Sequence, residues 1–372
     1  MNLFIADTPY KELFPRTMEH VLRGIGIEYS CAAAAIVRGD QTLLQFCAGN
    51  RQDYSGDEQY HADPKPVSME TLYDMASVTK LAATTMVALR MMEDGAFSLY
   101  DSLWRYFKDA GNFRDAEIRH LMTHSSGLTP GIALYTKCQS PEEAIPMILH
   151  SEPVCGIGED VHYSCMGYLL LQKILEQIGG KPLDVLADEL VFQPLGMKTA
   201  CFRPTAEDIA ATEFSPHYKR YVCGHVHDEN AHFLGGVCGN AGLFASIGDM
   251  TRFASMLSNR GSIDGKRYLN RRTFDLAIKN YTPGMSENRG LGFSLRFDDL
   301  SASGEFTSPG SYGHNGFTGT SVYCDAQSGI CMVLLTNAVH YGRENRGPFF
   351  RDRRIFHNIA LTEADRALGL DI

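Results

Sequence analysis

Between Tyr10 and Gly26 the apolar residues Leu13, Met18, Val21 and Leu22 fall on one side of a helical projection, which predicts an amphipathic helix. The pattern then changes. Cys31 to Val37 and Gln41 to Ala48 are two mostly apolar runs around Arg38-Gly39-Asp40, a strand, turn and strand that read as a hairpin. Helical spacing dominates the middle of the chain, at Leu81 to Glu93, Ile118 to Thr123, Pro141 to His150, Met166 to Ile178, Pro182 to Phe192 and Ile247 to Ser258. Strand-like runs return near Gly290 to Phe297, Ser321 to Cys324 and Ile330 to Asn337, and a helix over Phe349 to Leu368 closes the sequence. No internal repeat or low-complexity segment interrupts this order.

Strands at both ends with helices between them predict an α/β (α+β) fold. One antiparallel sheet is built from both ends of the chain, the terminal helices pack on it, and a helical domain is inserted. The expected division is residues 1–75 together with 285–372 for the sheet domain and 76–284 for the mostly helical insert.

Composition narrows the function classes. The 372 residues are 44% apolar and 21% charged, as in ordinary globular proteins, and the net charge is −10. An acidic chain with no basic run before its last 30 or so residues is a poor nucleic-acid binder. Arg343 to Arg354 is a short basic stretch interleaved with Phe349 and Phe350, and reads as part of a C-terminal helix. No apolar run approaches the ~20 residues of a membrane span. Met1 to Asp7 lacks the charged and long apolar regions of a signal peptide. Ten cysteines occur without C-x-x-C pairs, and Cys31, Cys47 and Cys331 sit in apolar runs, so free thiols and a cytoplasmic location are expected.

The densest chemical signal is Ser77-Val78-Thr79-Lys80, just before a run of Ala, Leu and Met. A serine at the start of a helix and a lysine three residues later share one face. A serine hydroxyl needs a neighbouring base to become a nucleophile, and a buried lysine amine can be one. The first-turn N–H groups can hold a developing oxyanion. The bland alternative makes Ser77 an N-cap and Lys80 a surface lysine. Two later segments favour the chemical reading. Tyr163-Ser164-Cys165 ends an extended piece before an apolar helix, and His314-Asn315-Gly316-Phe317 is Gly-punctuated before a strand.

In this order, S-V-T-K, Y-S-C and H-N-G resemble the serine β-lactamase-related hydrolases of the class C type, a group of β-lactamases, DD-peptidases, D-aminopeptidases and carboxylesterases. His120 to Leu128 and Gly239 to Phe253 are similar to further landmarks of that family, and the resemblance spans Ala32 to Asn337. It implies a β-lactamase/transpeptidase-like fold with the active site in the cleft between the two domains. It also implies that Ser77 is the acylated nucleophile, Lys80 the amine beside it, and Tyr163 the proton shuttle. The oxyanion hole would be the backbone N–H groups of Ser77 and Phe317. His314, Asn315 and Gly316 would line the substrate strand, and Cys165 would face the substrate. A phenol needs a cationic neighbour to act as a base near neutrality, and Lys80 could be that cation; the choice of first base between Lys80 and Tyr163 stays open.

Two departures from the family pattern bear on substrate. Cys165 stands where relatives often carry an amide-binding asparagine, and a thiol is a weak hydrogen-bonding group. His314 stands where many carry lysine, and a neutral imidazole attracts a carboxylate less than an ammonium does. Both tilt towards esters. The cluster His225, His227 and His232 beside Asp228 could suggest a metal site, but a loop in which Asp228 and Asn230 bond the backbone is the expectation. His120, His124, Ser125 and Ser126 read as a helix end stopped by Gly127, and Cys165 as a buried inert thiol. The combined expectation is a cofactor-free, metal-free serine hydrolase acting on a small ester, amide or β-lactam-type molecule, carboxylesterase-like first. A DD-peptidase, a D-aminopeptidase or a weak β-lactamase is the alternative in class, and a silent ligand-binding homologue the alternative outside it.

Overall fold

The apolar runs pair into a seven-stranded, wholly antiparallel sheet. In the computed structural model, which describes residues 2–53, 64–215, 219–296, 301–344 and 346–371, the strands are β1 (Leu3–Ile5), β2 (Cys31–Arg38), β3 (Gln41–Gly49), β4 (Ser294–Leu295), β5 (Tyr312–Asn315), β6 (Ser321–Cys324) and β7 (Ile330–Thr336). Their order across the sheet is β1-β3-β2-β7-β6-β5-β4. The chain's two ends meet at the β2–β7 ladder, where Ile36 faces Met332 and Ala34 faces Leu334. The helices that position the site are α1 (Pro15–Gly24), α2 (Met86–Glu93), α3 (Ile118–Met122), α4 (Cys165–Gly179), α5 (Ile247–Ser258) and α6 (Gly347–Leu368).

Because successive side chains on a strand point to opposite faces, β2 and β7 feed two cores. Ala34, Ile36, Met332 and Leu334 pack with Phe14 and Val21 of the N-terminal segment and with Phe356, Ala360 and Leu361 of α6. Ala33, Ala35, Val37, Cys331, Val333 and Leu335 pack with Met250, Phe253 and Leu257 of α5 and the larger helical core. The expected mixed α/β class, an antiparallel sheet flanked by terminal helices, is what forms. The terminal helices also bond each other. The Glu363 carboxylate of α6 accepts from the backbone N–H of Arg16 and Thr17, at 3.1 and 3.0 Å, and from the Thr17 hydroxyl. A long-range acid thereby satisfies the unpaired first-turn donors of α1, whose own N-cap side chain bonds none of them.

Two expectations change in extent. Of the strand expected over Gly290 to Phe297, Ser294–Leu295 forms among the described residues, and Phe297 lies outside them; Leu3–Ile5, three exposed residues, forms an edge strand on β3 that the pattern did not announce. Among the described residues no helix is long and apolar enough to cross a membrane.

Candidate active site

The Ser77 motif is anchored by pairings on both sides. Tyr73 and Asp74 pair with Ala245 and Phe244, and the Met75 N–H donates to Leu243 O. The buried Asp74 carboxylate then accepts from Ala76 N at 2.8 Å and from His227 N at 2.7 Å. Ala76 is left at φ +45°, a left-handed conformation unfavourable for a residue with a Cβ, and the chain swings directly from it through Ser77 into a helix. From Lys80 to Thr85 that helix has the wider π-type winding before it continues as α2, a local irregularity common at functional sites.

The winding buries Lys80 completely. Its Nζ donates to Ser77 Oγ at 3.1 Å, Asn240 O at 3.0 Å and Cys165 Sγ at 3.4 Å. Its ammonium stands 5.0 Å from the Tyr163 ring centre. Burial alone would lower the lysine pKa, but the acidic groups of Cys165 and Tyr163 beside it outweigh burial and hold it above its ordinary value. Lys80 is therefore charged at neutral pH.

Tyr163 precedes α4, whose N-cap Ser164 accepts from Met166 N and donates to Thr129 O at 2.6 Å. His124 holds this turn from behind. It sits at φ +59°, its Nδ1 accepts from Ser164 N at 3.1 Å, and its ring lies 4.4 Å from that of Tyr163. Burial, then the nearby Arg289 and Lys80 charges, push its pKa well below the usual value, so the ring is neutral.

The third motif closes the site from the sheet. Thr318 Oγ1 donates to Asp74 O and Thr320 Oγ1 to Met75 O, at 2.7 and 3.0 Å, which fixes the β5–β6 turn against the segment that leads into Ser77. Gly316 is required there, since a Cβ would fall 2.5 Å from Met75 O. Neither Ser77 N–H nor Phe317 N–H has an acceptor among the described residues, as a pair of oxyanion donors requires. His314 is buried with its ring 6.0 Å from that of Tyr163. Its Nδ1 donates to Asn315 O at 2.8 Å, which leaves Nε2 as an unpartnered acceptor. Burial first, then Arg289 and Lys80, push its pKa down to about 3. His314 thus offers a lone pair and no cation.

The structure brings Ser77, Lys80, Tyr163, Cys165, His314, Gly316 and Phe317 to one place and directs Asn315 elsewhere. Alternation along β5 turns the Asn315 side chain to the α6 face, where its Oδ1 accepts from Tyr323 OH at 2.8 Å. Cys165 is half-buried and in contact with Lys80, which differs from the buried inert thiol expected. The histidine-rich loop behaves as a loop. Asp228 caps the helix Glu229–Phe233, and Asn230 accepts from Leu134 N. His227 bonds Glu213 at 2.9 Å and packs its ring 5.8 Å from Phe317. It also lines a cavity of about 850 Å³ with Tyr135, Phe214, Val226, Phe233 and Arg343.

With this geometry in place, comparison with known proteins is decisive. The beta-lactamase family model matches residues 22–354. The chain belongs to the beta-lactamase family. It is 28% identical over 352 residues to an Escherichia coli (strain K12) protein named "Putative D-alanyl-D-alanine carboxypeptidase", covering 85% of this chain and 80% of that one. Its fold is similar to that of EstCE1, a hydrolase with promiscuous acyltransferase activity, with TM-score 0.72, 22% identity and coverage of 92% and 98%. It is also similar to a penicillin-binding protein homologue from Caulobacter crescentus, with TM-score 0.74, 15% identity and coverage of 98% and 100%. The chain is accordingly a serine hydrolase of the beta-lactamase family.

Two residues of the site carry no sequence signal. Arg289 is buried, with its guanidinium 5.3 Å from the Tyr163 ring centre and its Nε unpartnered among the described residues; its ion pair is with Glu287. Asn240 is 1% exposed, gives its carbonyl to Lys80, and has no partner for either side-chain atom among the described residues. Arg289 lies 25 residues before His314, just ahead of the Gly290 to Phe297 stretch that reads as a strand. Asn240 lies inside Gly239 to Phe253, where the resemblance marks a segment but no role.

Proposed function

We propose that this hydrolase transfers the acyl group of a small ester or amide to Ser77 and then to water. The observation that carries the reading is the fully buried Lys80 with its Nζ 3.1 Å from Ser77 Oγ. A lysine this deep is retained where its charge is used. Because Lys80 is held protonated, Tyr163 is the group left to take the Ser77 proton, with the Lys80 ammonium against its ring. The N–H groups of Ser77 and Phe317 face the oxyanion. The cavity beside His227, lined by Phe214, Val226 and Phe233 and by the charged Glu213, Glu229 and Arg343, takes the acyl moiety.

Arg289 favours a second reading within this class. It supplies next to His314 the fixed positive charge that the imidazole lacks, and Asn240 supplies an amide where Cys165 cannot. A peptide or depsipeptide with a free carboxylate beside the scissile bond fits that pair, as in a D-alanyl-D-alanine carboxypeptidase. The test of the acyl-transfer reading is mass spectrometry of the intact protein after a short incubation with a p-nitrophenyl ester and with a fluorescent penicillin. An adduct on wild type that is absent in Ser77→Ala is expected, together with loss of turnover. Unchanged turnover in a folded Ser77→Ala would sink the mechanism.

A further inference from the structure

Arg346 and Arg353 are the two buried cations of the described structure for which it records neither an ion pair nor a hydrogen bond from the guanidinium. They are 7% and 5% exposed. All three guanidinium nitrogens of Arg346, and Nε and Nη1 of Arg353, have no hydrogen-bond partner among the described residues. Both stack on the same two rings. The Arg346 guanidinium carbon lies 5.4 and 5.1 Å from the ring centres of Phe349 and Phe350, and that of Arg353 lies 5.7 and 5.5 Å from them. Neighbouring ions bond elsewhere, although the Glu213 charge still acts on Arg346 through space. Arg354 pairs with Glu305, Arg351 with Asp352, and Glu213 receives Arg343 and His227. Burial, and then the charge of Arg353, lower the Arg346 pKa to about 10.

Two like charges in one apolar setting repel, and each guanidinium presents donors in a planar fork that matches an oxyanion. A buried donor without a partner in a native fold points to an ion or water that completes it. Arg346 is also the N-cap of the 22-residue α6, so the positive end of a long helix adds to the same field. The aromatic faces hold the cations in place but accept no hydrogen bond of this strength.

We propose that Arg346 and Arg353 form a binding site for one small oxyanion, a carboxylate, phosphate or sulfate group, at the N-terminal end of α6. The site is distinct from Arg289 and does not rest on the acyl-transfer reading. It adjoins the catalytic cleft through Phe317, whose ring centre lies 4.7 Å from the Arg346 guanidinium on one side and 5.8 Å from the His227 ring on the other. An anion here would fix Arg346, and with it the ring of a proposed oxyanion-hole residue. The anion can come from solution or be the anionic group of a substrate that reaches past Phe317.

The test is calorimetric titration of the whole chain with sodium phosphate and with sodium sulfate at constant ionic strength, beside melting temperatures over the same range. Wild type should show saturable heat and a saturable rise in melting temperature. Arg346→Gln and Arg353→Gln should each weaken binding at least tenfold, Arg346→Lys should weaken it less, and Arg289→Gln should leave it unchanged. Phosphate that raises KM only for a carboxylate-bearing substrate identifies the substrate's own group as the natural occupant. Phosphate that leaves KM unchanged for charged and uncharged substrates identifies a resident free anion. Absence of saturable binding to wild type, or binding lost in Arg289→Gln and kept in Arg346→Gln, would overturn the proposal; the wild-type titration decides even where a variant does not fold.

Discussion

Replacing Arg289 by Gln separates the two substrate readings. Arg289 is 6% exposed, so water screens its field little. Its ion-pair partner Glu287 has a side chain 43% exposed, so that carboxylate can return to solvent when the arginine is gone, and the fold should tolerate the change. A hydrogen bond to a charged group contributes about 1.5–3 kcal/mol. Lost from the transition state, that is a decrease of about 10- to 150-fold in kcat/KM. Glu287 already occupies part of the fork, so the lower half of that range is expected. The assay compares a depsipeptide ending in a free carboxylate with the same molecule capped as its carboxamide. Arg289→Gln should lower kcat/KM by 10-fold or more on the acid, change the capped substrate by less than about 3-fold, and leave p-nitrophenyl ester turnover near wild type. An equal loss on acid and carboxamide would refute the reasoning, because it would mean that Arg289 acts on the position of Tyr163 and not on a substrate carboxylate.

Tyr163→Phe should lower acylation by roughly 10² to 10⁴, the usual worth of general acid–base catalysis. Lys80→Ala should be at least as damaging, since it removes the cation that touches Ser77, Cys165 and Asn240; stopped-flow acylation that retains half the wild-type rate in either variant would contradict its role. Cys165→Asn should raise β-lactam acylation relative to ester hydrolysis, because an amide replaces a weak thiol contact; an unchanged ratio would show that Asn240 already does this work. Stability should depend on pH through buried neutral histidines. Burial lowers His314 and His357 to about 3 and His120 to about 4, from 6.5. The unfolded chain takes up protons below pH 6.5 that the fold refuses, so their contribution is complete above 6.5 and is lost as pH falls towards 3. The melting temperature should drop across that window and drop less in His357→Asn, and a flat profile would count against the burial argument.

What the sequence determined by itself is what neighbours along the chain decide. A three-residue spacing puts Ser77 and Lys80 one helical turn apart wherever that helix lies. Helical periods located α4, α5 and α6, and mostly apolar runs located β2, β3 and β7, of which β2 and β7 are buried on both faces. Three short ordered motifs were enough to show the family resemblance. Chain folding in space decided the rest. Nothing local shows that Lys80 is wholly buried and still charged; that follows from Cys165, 85 residues away, and Asn240, 160 away, arriving around one ammonium. The helix-end reading of His124 missed its packing behind Tyr163, a contact made between elements. Motif order suggested that Asn315 lines the cleft, whereas the alternation of β5 sends it to α6 once His314 faces inward. Arg289, Arg346 and Arg353 look like ordinary surface arginines in a charged sequence. Only burial, a property of the packed whole, leaves them with unspent donors, and a buried charge with donors to spare is where the physical reason for function is to be found.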